Sequence, residues 1–321
     1  MAHDHTIFGQ PGYVNFQYSF NKLSILAIIC TIYTIPVCFI LLKMIFIYFK
    51  SKRQDQNKIL CPELFSILIM QVLCLCHVIT KFLVSRLPHT GLITAWCAVE
   101  KPQFLKLLVF FNYGVVYSKY AAVIVFCTFR VTLLFSIGSA QQKINKTLVL
   151  AAQFFIFLAF FLAIPRYNSR CTCSQLGEPF PTGSIIIMTM ISGCPISFPL
   201  SVIIEIIVQP VTFVLIISLN IVMLIKFYLV KQIRNPPSPA KSGKNETVLT
   251  TTMILLILPI VFNIIVAFYE CFDNFDYYIY LIRPFFIDAQ SHIITCYFYF
   301  THPIFIKKSM KTVTVKFSVS K

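Results

Sequence analysis

The sequence predicts an all-α membrane protein, a seven-transmembrane helix bundle. Three observations carry this. Of 321 residues, 58% are hydrophobic and only 12% are charged, against about 25% charged in soluble domains. The apolar residues gather into seven runs, each near the ~20 residues that a membrane-crossing helix needs. The charges collect in the breaks between runs. The net charge of +16 therefore reads as membrane orientation and lipid contact, not as a nucleic-acid footprint, which needs basic residues spread over one face.

Residues 1–22 are polar to mixed and form an N-terminal segment. The membrane domain covers 23–306, and a basic tail covers 307–321. Span one is expected over 24–49, with Pro36 inside it, followed by the basic break at 50–58. Span two is expected over 59–84. The connector 85–103 holds Pro88, Gly91, Trp96 and Cys97. Span three is expected over 104–135, and span four over 147–164 after the break at 136–146. The connector 166–198 contains Cys171, Cys173 and Cys194. Its β-branched piece at 184–191 is too short to cross a bilayer and reads as extended loop. Span five is expected over 199–230 with Pro210, and span six over 247–269 with Pro259. Span seven is expected over 284–306 after an acidic connector. Proline removes a backbone hydrogen bond, so Pro210 and Pro259 mark kinks that either let helix ends swing or serve static packing.

Seven spans put the termini on opposite sides. Eighteen of the 27 Lys and Arg fall on the side of the 50–58, 136–146 and 231–246 breaks and the tail, and eight on the other. The excess of Lys and Arg in cytoplasmic loops then makes the N-terminus extracellular. Cys97, Cys171, Cys173, Cys194 and Cys271 lie on that oxidising outer side, where bridges are permitted. Their odd number leaves at least one thiol over. The sequons at Asn145 and Asn245 fall inside and are expected to stay unglycosylated.

Ionisable residues inside spans are the candidate functional residues, because bare charge at the bilayer centre is costly. Lys119 and Arg130 share one face of span three, about 16 Å apart. Asp288 and His292 share a face of span seven, and Glu205 reaches a similar depth in span five. The ligand-binding candidates are therefore Lys119, Glu205, Asp288 and His292. Depth makes Glu205 the expected partner of Lys119 and Asp288 the second choice; a water-filled cavity is the bland alternative. Arg130, at the inner end of span three, is either a switch contacting a cytoplasmic partner or an Arg snorkelling to headgroups. Cys74, Cys76 and His77 resemble metal ligands, but only Cys74 and His77 share a face and there is no second pair. Core packing is the reading of that trio, and no metal or other cofactor is expected. No paired-carboxylate, zinc-protease, nucleophile-elbow or phosphate-loop signature appears, so no enzyme is expected.

Longer stretches carry a resemblance. Gly9-Gln-Pro-Gly-Tyr-Val-Asn15-Phe16 precedes span one. Leu87-Pro-His-Thr-Gly91 leads to Ala95-Trp96-Cys97, and Arg130 closes span three. Arg283-Pro284, Asp288 and the run from Phe298 through Thr301-His302-Pro303 to Phe305 close the set. In this order they resemble the nematode serpentine seven-transmembrane chemoreceptors of class U, over nearly the whole chain. The resemblance implies a G-protein-coupled-receptor-like bundle that binds a small-molecule cue and signals to a heterotrimeric G protein. It also implies the plasma membrane of a sensory neuron, at its cilium. The inner ends of spans three, five and six, with Arg130, Lys226 and Lys231, are then the expected G-protein surface. A disulfide from Cys97 to Cys171 or Cys173 is expected, with Cys194 the more distant choice. The chain departs from rhodopsin-like receptors at Phe129-Arg130-Val131 and at His302-Pro303-Ile304-Phe305. Span seven also has no Lys before Lys307 for an opsin-like Schiff base. The competing class is a seven-span transporter or ligand-gated channel; no inverted repeat supports the former.

Overall fold

The computed structural model describes residues 6–54, 62–99, 103–135, 140–190, 210–222 and 277–302, together with 207, 225, 251, 255, 261, 262, 265 and 305. In chain order the helices begin with α1 (Pro11–Val14) and α2 (Lys22–Gln54). Then come α3 (Pro62–Lys81), a π turn (Phe82–Arg86), α4 (Leu87–His89) and α5 (Thr94–Val99). α6 (Gln103–Phe135), α7 (Ala140–Phe161) and α8 (Ile164–Asn168) lead into strands β1 (Arg170–Gln175) and β2 (Ile185–Met190). α9 (Pro210–Val222) lies within span five, and α10 (Tyr277–Thr301) is span seven. Among the described residues, four helices are long and apolar enough to cross a membrane: Lys22–Lys50, Leu64–His89, Phe104–Phe129 and Val149–Asn168.

Spans one and three sit where the hydropathy places them. Span two runs further than expected, through Pro88 to His89. The proline cannot donate to the carbonyl one turn back, and its ring clashes there. The helix answers by widening: the Leu87 N–H bonds to Phe82 O, five residues back. The helix of span four begins earlier than the span itself, at Ala140, because Ala, Gln and Lys at 140–143 favour helix and carry it beyond the apolar layer. Span seven begins two turns before Pro284, which lies inside α10. Membrane helices tolerate such a proline when neighbours re-satisfy the freed backbone groups.

One half of the bundle is an apolar core. Met44 and Leu41 of α2 meet Ile67 and Met70 of α3, Phe126 of α6, Ile216 of α9 and Phe298 of α10. α6 approaches α7 through small residues. A Cβ on Gly114 would lie 2.5 Å from the Phe160 ring, and Ser118 Oγ donates to Ile156 O at 3.0 Å. Small residues permit this close approach, which is how helices associate in lipid.

The piece expected as extended loop is a strand. β2 pairs antiparallel with β1 in the register Cys171↔Thr189 and Cys173↔Ile187. The N-terminal segment joins this hairpin: Thr6 bridges Ser174, and the Ile7 N–H donates to Cys173 O at 3.1 Å. Ile7 is 1% exposed, buried with Cys97, Cys171, Cys173 and Ile185. Gly183 closes the hairpin at φ 89°, with the Phe16 ring where a Cβ would stand. The N-terminus, α5 and the hairpin thus form one cap at one end of the bundle.

Candidate functional site

Beneath the cap, α2, the π turn and α10 meet on a buried ionic cluster. The π turn adds one residue to its helical turn, so the helix beyond it is rotated by roughly 100° from the α-helical course. Arg86 ends that turn and points into the bundle. Its Nη2 donates to Asp288 Oδ2 at 2.7 Å and to Pro284 O at 2.9 Å. The two side chains are 7% and 2% exposed. Tyr33 of α2 donates its hydroxyl to the same Asp288 oxygen in a short hydrogen bond. His292 stacks edge-on to Tyr33 at 5.2 Å, and its Nδ1 bonds the Asp288 carbonyl one turn back. An isolated charge here would be costly; the ion pair and tyrosine make the carboxylate tolerable. Asp288 Oδ1, Arg86 Nε and His292 Nε2 have no hydrogen-bond partner among the described residues. The cluster therefore keeps polar capacity to spare.

One turn inward along α10, Thr295 donates to Gln71 Oε1 of α3 at 2.5 Å. Lys119, 3% exposed at mid-membrane on α6, contacts His77 Nδ1 of α3 at 3.2 Å. Tyr120 lies 5.3 Å from the Lys119 nitrogen. Asp288, the second choice for Lys119, has its Oδ2 engaged by Arg86 and Tyr33. Glu205, the first choice, lies outside the described residues, as do Lys226 and Lys231. Arg130 is helical, but its side chain lies outside the described part of the structure. His77 is thus a polar partner in the core, and no group of three metal-binding side chains occurs among the described residues.

Arg86 and Tyr33 are the residues that sequence reasoning missed. Arg86 counted as a connector charge because the expected span ended at residue 84. The available signal was Asp288 itself: a carboxylate at that depth demands a cation, and Arg86 is the basic residue nearest the outer end of span two.

The cap gathers three thiols. Cys97, Cys171 and Cys173 are all buried in one apolar cluster, and all are free thiols in the structure. Cys173 hydrogen-bonds Cys97, which pushes its thiol up, with burial adding to the effect. Burial, with Cys97 beside it, pushes the Cys171 thiol up to about 12. Nearby, Arg166 is fully buried with its guanidinium 4.0 Å from the Tyr113 ring centre.

Apolar spans around buried charge, closed by a cap at one end, define a multi-pass helical membrane protein. The chain belongs to the family described as serpentine type 7TM GPCR chemoreceptor Sru, whose profile matches residues 7–308. It is 29% identical over 183 residues to "Serpentine receptor class U-26" of Caenorhabditis elegans. That match covers 56% of this chain and 62% of the relative. The family is a chemoreceptor family rather than an enzyme family, and its seven-helix bundle agrees with the fold.

Proposed function

We propose that the chain is a chemosensory receptor that binds a small molecule in the outer half of its bundle and activates a heterotrimeric G protein. Family membership over residues 7–308 carries this reading. The buried cluster of Arg86, Asp288, Tyr33 and His292 supports the location, since it leaves one donor and two acceptors to spare beneath the cap. Lys119 and Glu205 complete the polar lining in this reading. The G protein meets the inner ends of spans three, five and six at Arg130, Lys226 and Lys231, where basic residues also suit anionic lipid. The receptor sits in the plasma membrane of a sensory neuron, at its cilium, with the N-terminus outside. A disulfide from Cys97 to the hairpin ties the cap to span three; the Cys173 contact favours that thiol over Cys171.

The test is a panel of small molecules applied to cells expressing the receptor with a G-protein readout. A hit should respond in the wild type and fail with Arg130→Ala at equal surface expression. Ionic current without G-protein activation would overturn the reading.

A further inference from the structure

The cap carries a short helix whose polarity runs inside out. α5 buries Thr94, Cys97 and Ala98. Its opposite face presents exposed Leu92, Trp96 and Val99, at i, i+4 and i+7. Leu92 belongs to that face because the helical course begins before α5. The Thr94 N–H bonds Gly91 O at 3.3 Å, and the Cys97 N–H bonds Ile93 O at 3.0 Å. Residues 92–99 hold no charged side chain. A surface helix that meets water has the reverse arrangement, with charged and polar residues outward.

We propose that this face of α5 lies in the interfacial layer of the lipid leaflet at the cap end, with the Trp96 ring among the headgroups and the first acyl carbons. Depth supports that occupant. Cys97 and Ala98 share one buried cluster with Leu105 and Val109 of span three. That span, Phe104–Phe129, has 26 residues, about 39 Å at 1.5 Å per residue. The hydrocarbon core is about 30 Å thick, so roughly three residues overhang at each end. Leu105 and Val109 therefore straddle the edge of the hydrocarbon, and α5 packs at their level. Continuity supports it too. Only three residues separate Val99 from Gln103, the start of α6. Beyond that link Phe104, Leu107 and Phe111 are exposed at i, i+3 and i+7. The lipid-facing stripe of span three thus begins where the apolar face of α5 ends. Trp suits this layer, since its ring is apolar while its indole N–H donates to an ester or phosphate oxygen. The Ala98 carbonyl accepts the Gly9 N–H at 2.9 Å, so a lipid-seated α5 also steadies the N-terminal segment of the cap.

The seating rests on the membrane spans, not on the receptor reading, and it is measured without ligand. The chain has one tryptophan, so Trp96 emission reports alone. Full-length protein is reconstituted in phosphatidylcholine liposomes whose acyl chains carry bromine either near the carbonyl end or near the methyl end. Aqueous iodide is supplied on both sides of the membrane. Trp96 should lose most of its emission to the shallow bromine and little to the deep bromine or to iodide. Trp96→Phe with Leu92→Trp, and Trp96→Phe with Val99→Trp, move the probe along the same face and should keep that order of quenching. Trp96→Phe alone sets the baseline. Quenching by iodide rather than bromine would place the face in water. Resistance to both would place it against protein, a second copy included. Stronger quenching by deep bromine would place it in the hydrocarbon core. Each of these results in the wild type would overturn the proposal, and so would a shallow signal confined to position 96.

Discussion

Removing Arg86 is the sharpest perturbation of the fold. Arg86→Met strands Asp288, whose side chain is 2% exposed, at a junction of three helices. Breaking a buried pair by deleting one member costs about 3–5 kcal/mol. Tyr33 still donates to the carboxylate in the variant, so the lower figure applies. Asp288→Leu leaves the guanidinium with Pro284 O and should cost a similar amount. At roughly 2–4 °C per kcal/mol, each single variant should melt about 6–12 °C below wild type. The double variant Arg86→Met/Asp288→Leu strands no charge, leaving only the neutral Tyr33 hydroxyl and Pro284 carbonyl without these partners, and should recover part of that loss. The assay is thermal unfolding of detergent-solubilised receptor, read by a thiol-reactive dye. Buried Cys30, Cys74 and Cys127 are natural reporters. Strictly additive losses, or an Arg86→Met variant melting with wild type, would refute the pairing.

Tags at residues 2 and 321 in unpermeabilised cells should stain only at the N-terminus; staining at the C-terminus would invert the topology. Cys97 should resist alkylation in oxidised receptor and become reactive after reduction, and Cys173→Ser should free it where Cys171→Ser does not. Lys119→Met and His77→Leu should each lower surface expression, and the double variant should lose less than the sum, because the two share the 3.2 Å contact. Gly183→Ala should destabilise the cap by about 1–3 kcal/mol through strain at positive φ and collision with Phe16, seen as faster proteolysis of the hairpin.

Much of this molecule is legible in its sequence because lipid imposes one rule: apolar runs become helices. Spans one and three obey that rule almost to the residue. What was hidden depends on tertiary contact. Pro88 reads locally as a helix breaker, and only the π turn shows how span two continues past it. Asp288 and His292 were recognisable as intramembrane ionisable residues. Their grouping with Arg86 and Tyr33 was not, because no spacing links side chains 198 to 255 positions apart. The cap was half legible. Outer cysteines pointed to each other, but nothing in the polar N-terminal segment announces that Ile7 is buried beside them.

Coupling to a G protein is the central claim, and nucleotide exchange measures it directly. Receptor in nanodiscs, mixed with purified heterotrimer, should accelerate binding of a non-hydrolysable GTP analogue over empty nanodiscs. An agonist from the cell panel should raise the rate further, and Arg130→Ala should return it to that of empty discs. Exchange indistinguishable from empty discs with agonist bound, or an agonist-gated current in the same membranes without exchange, would contradict it.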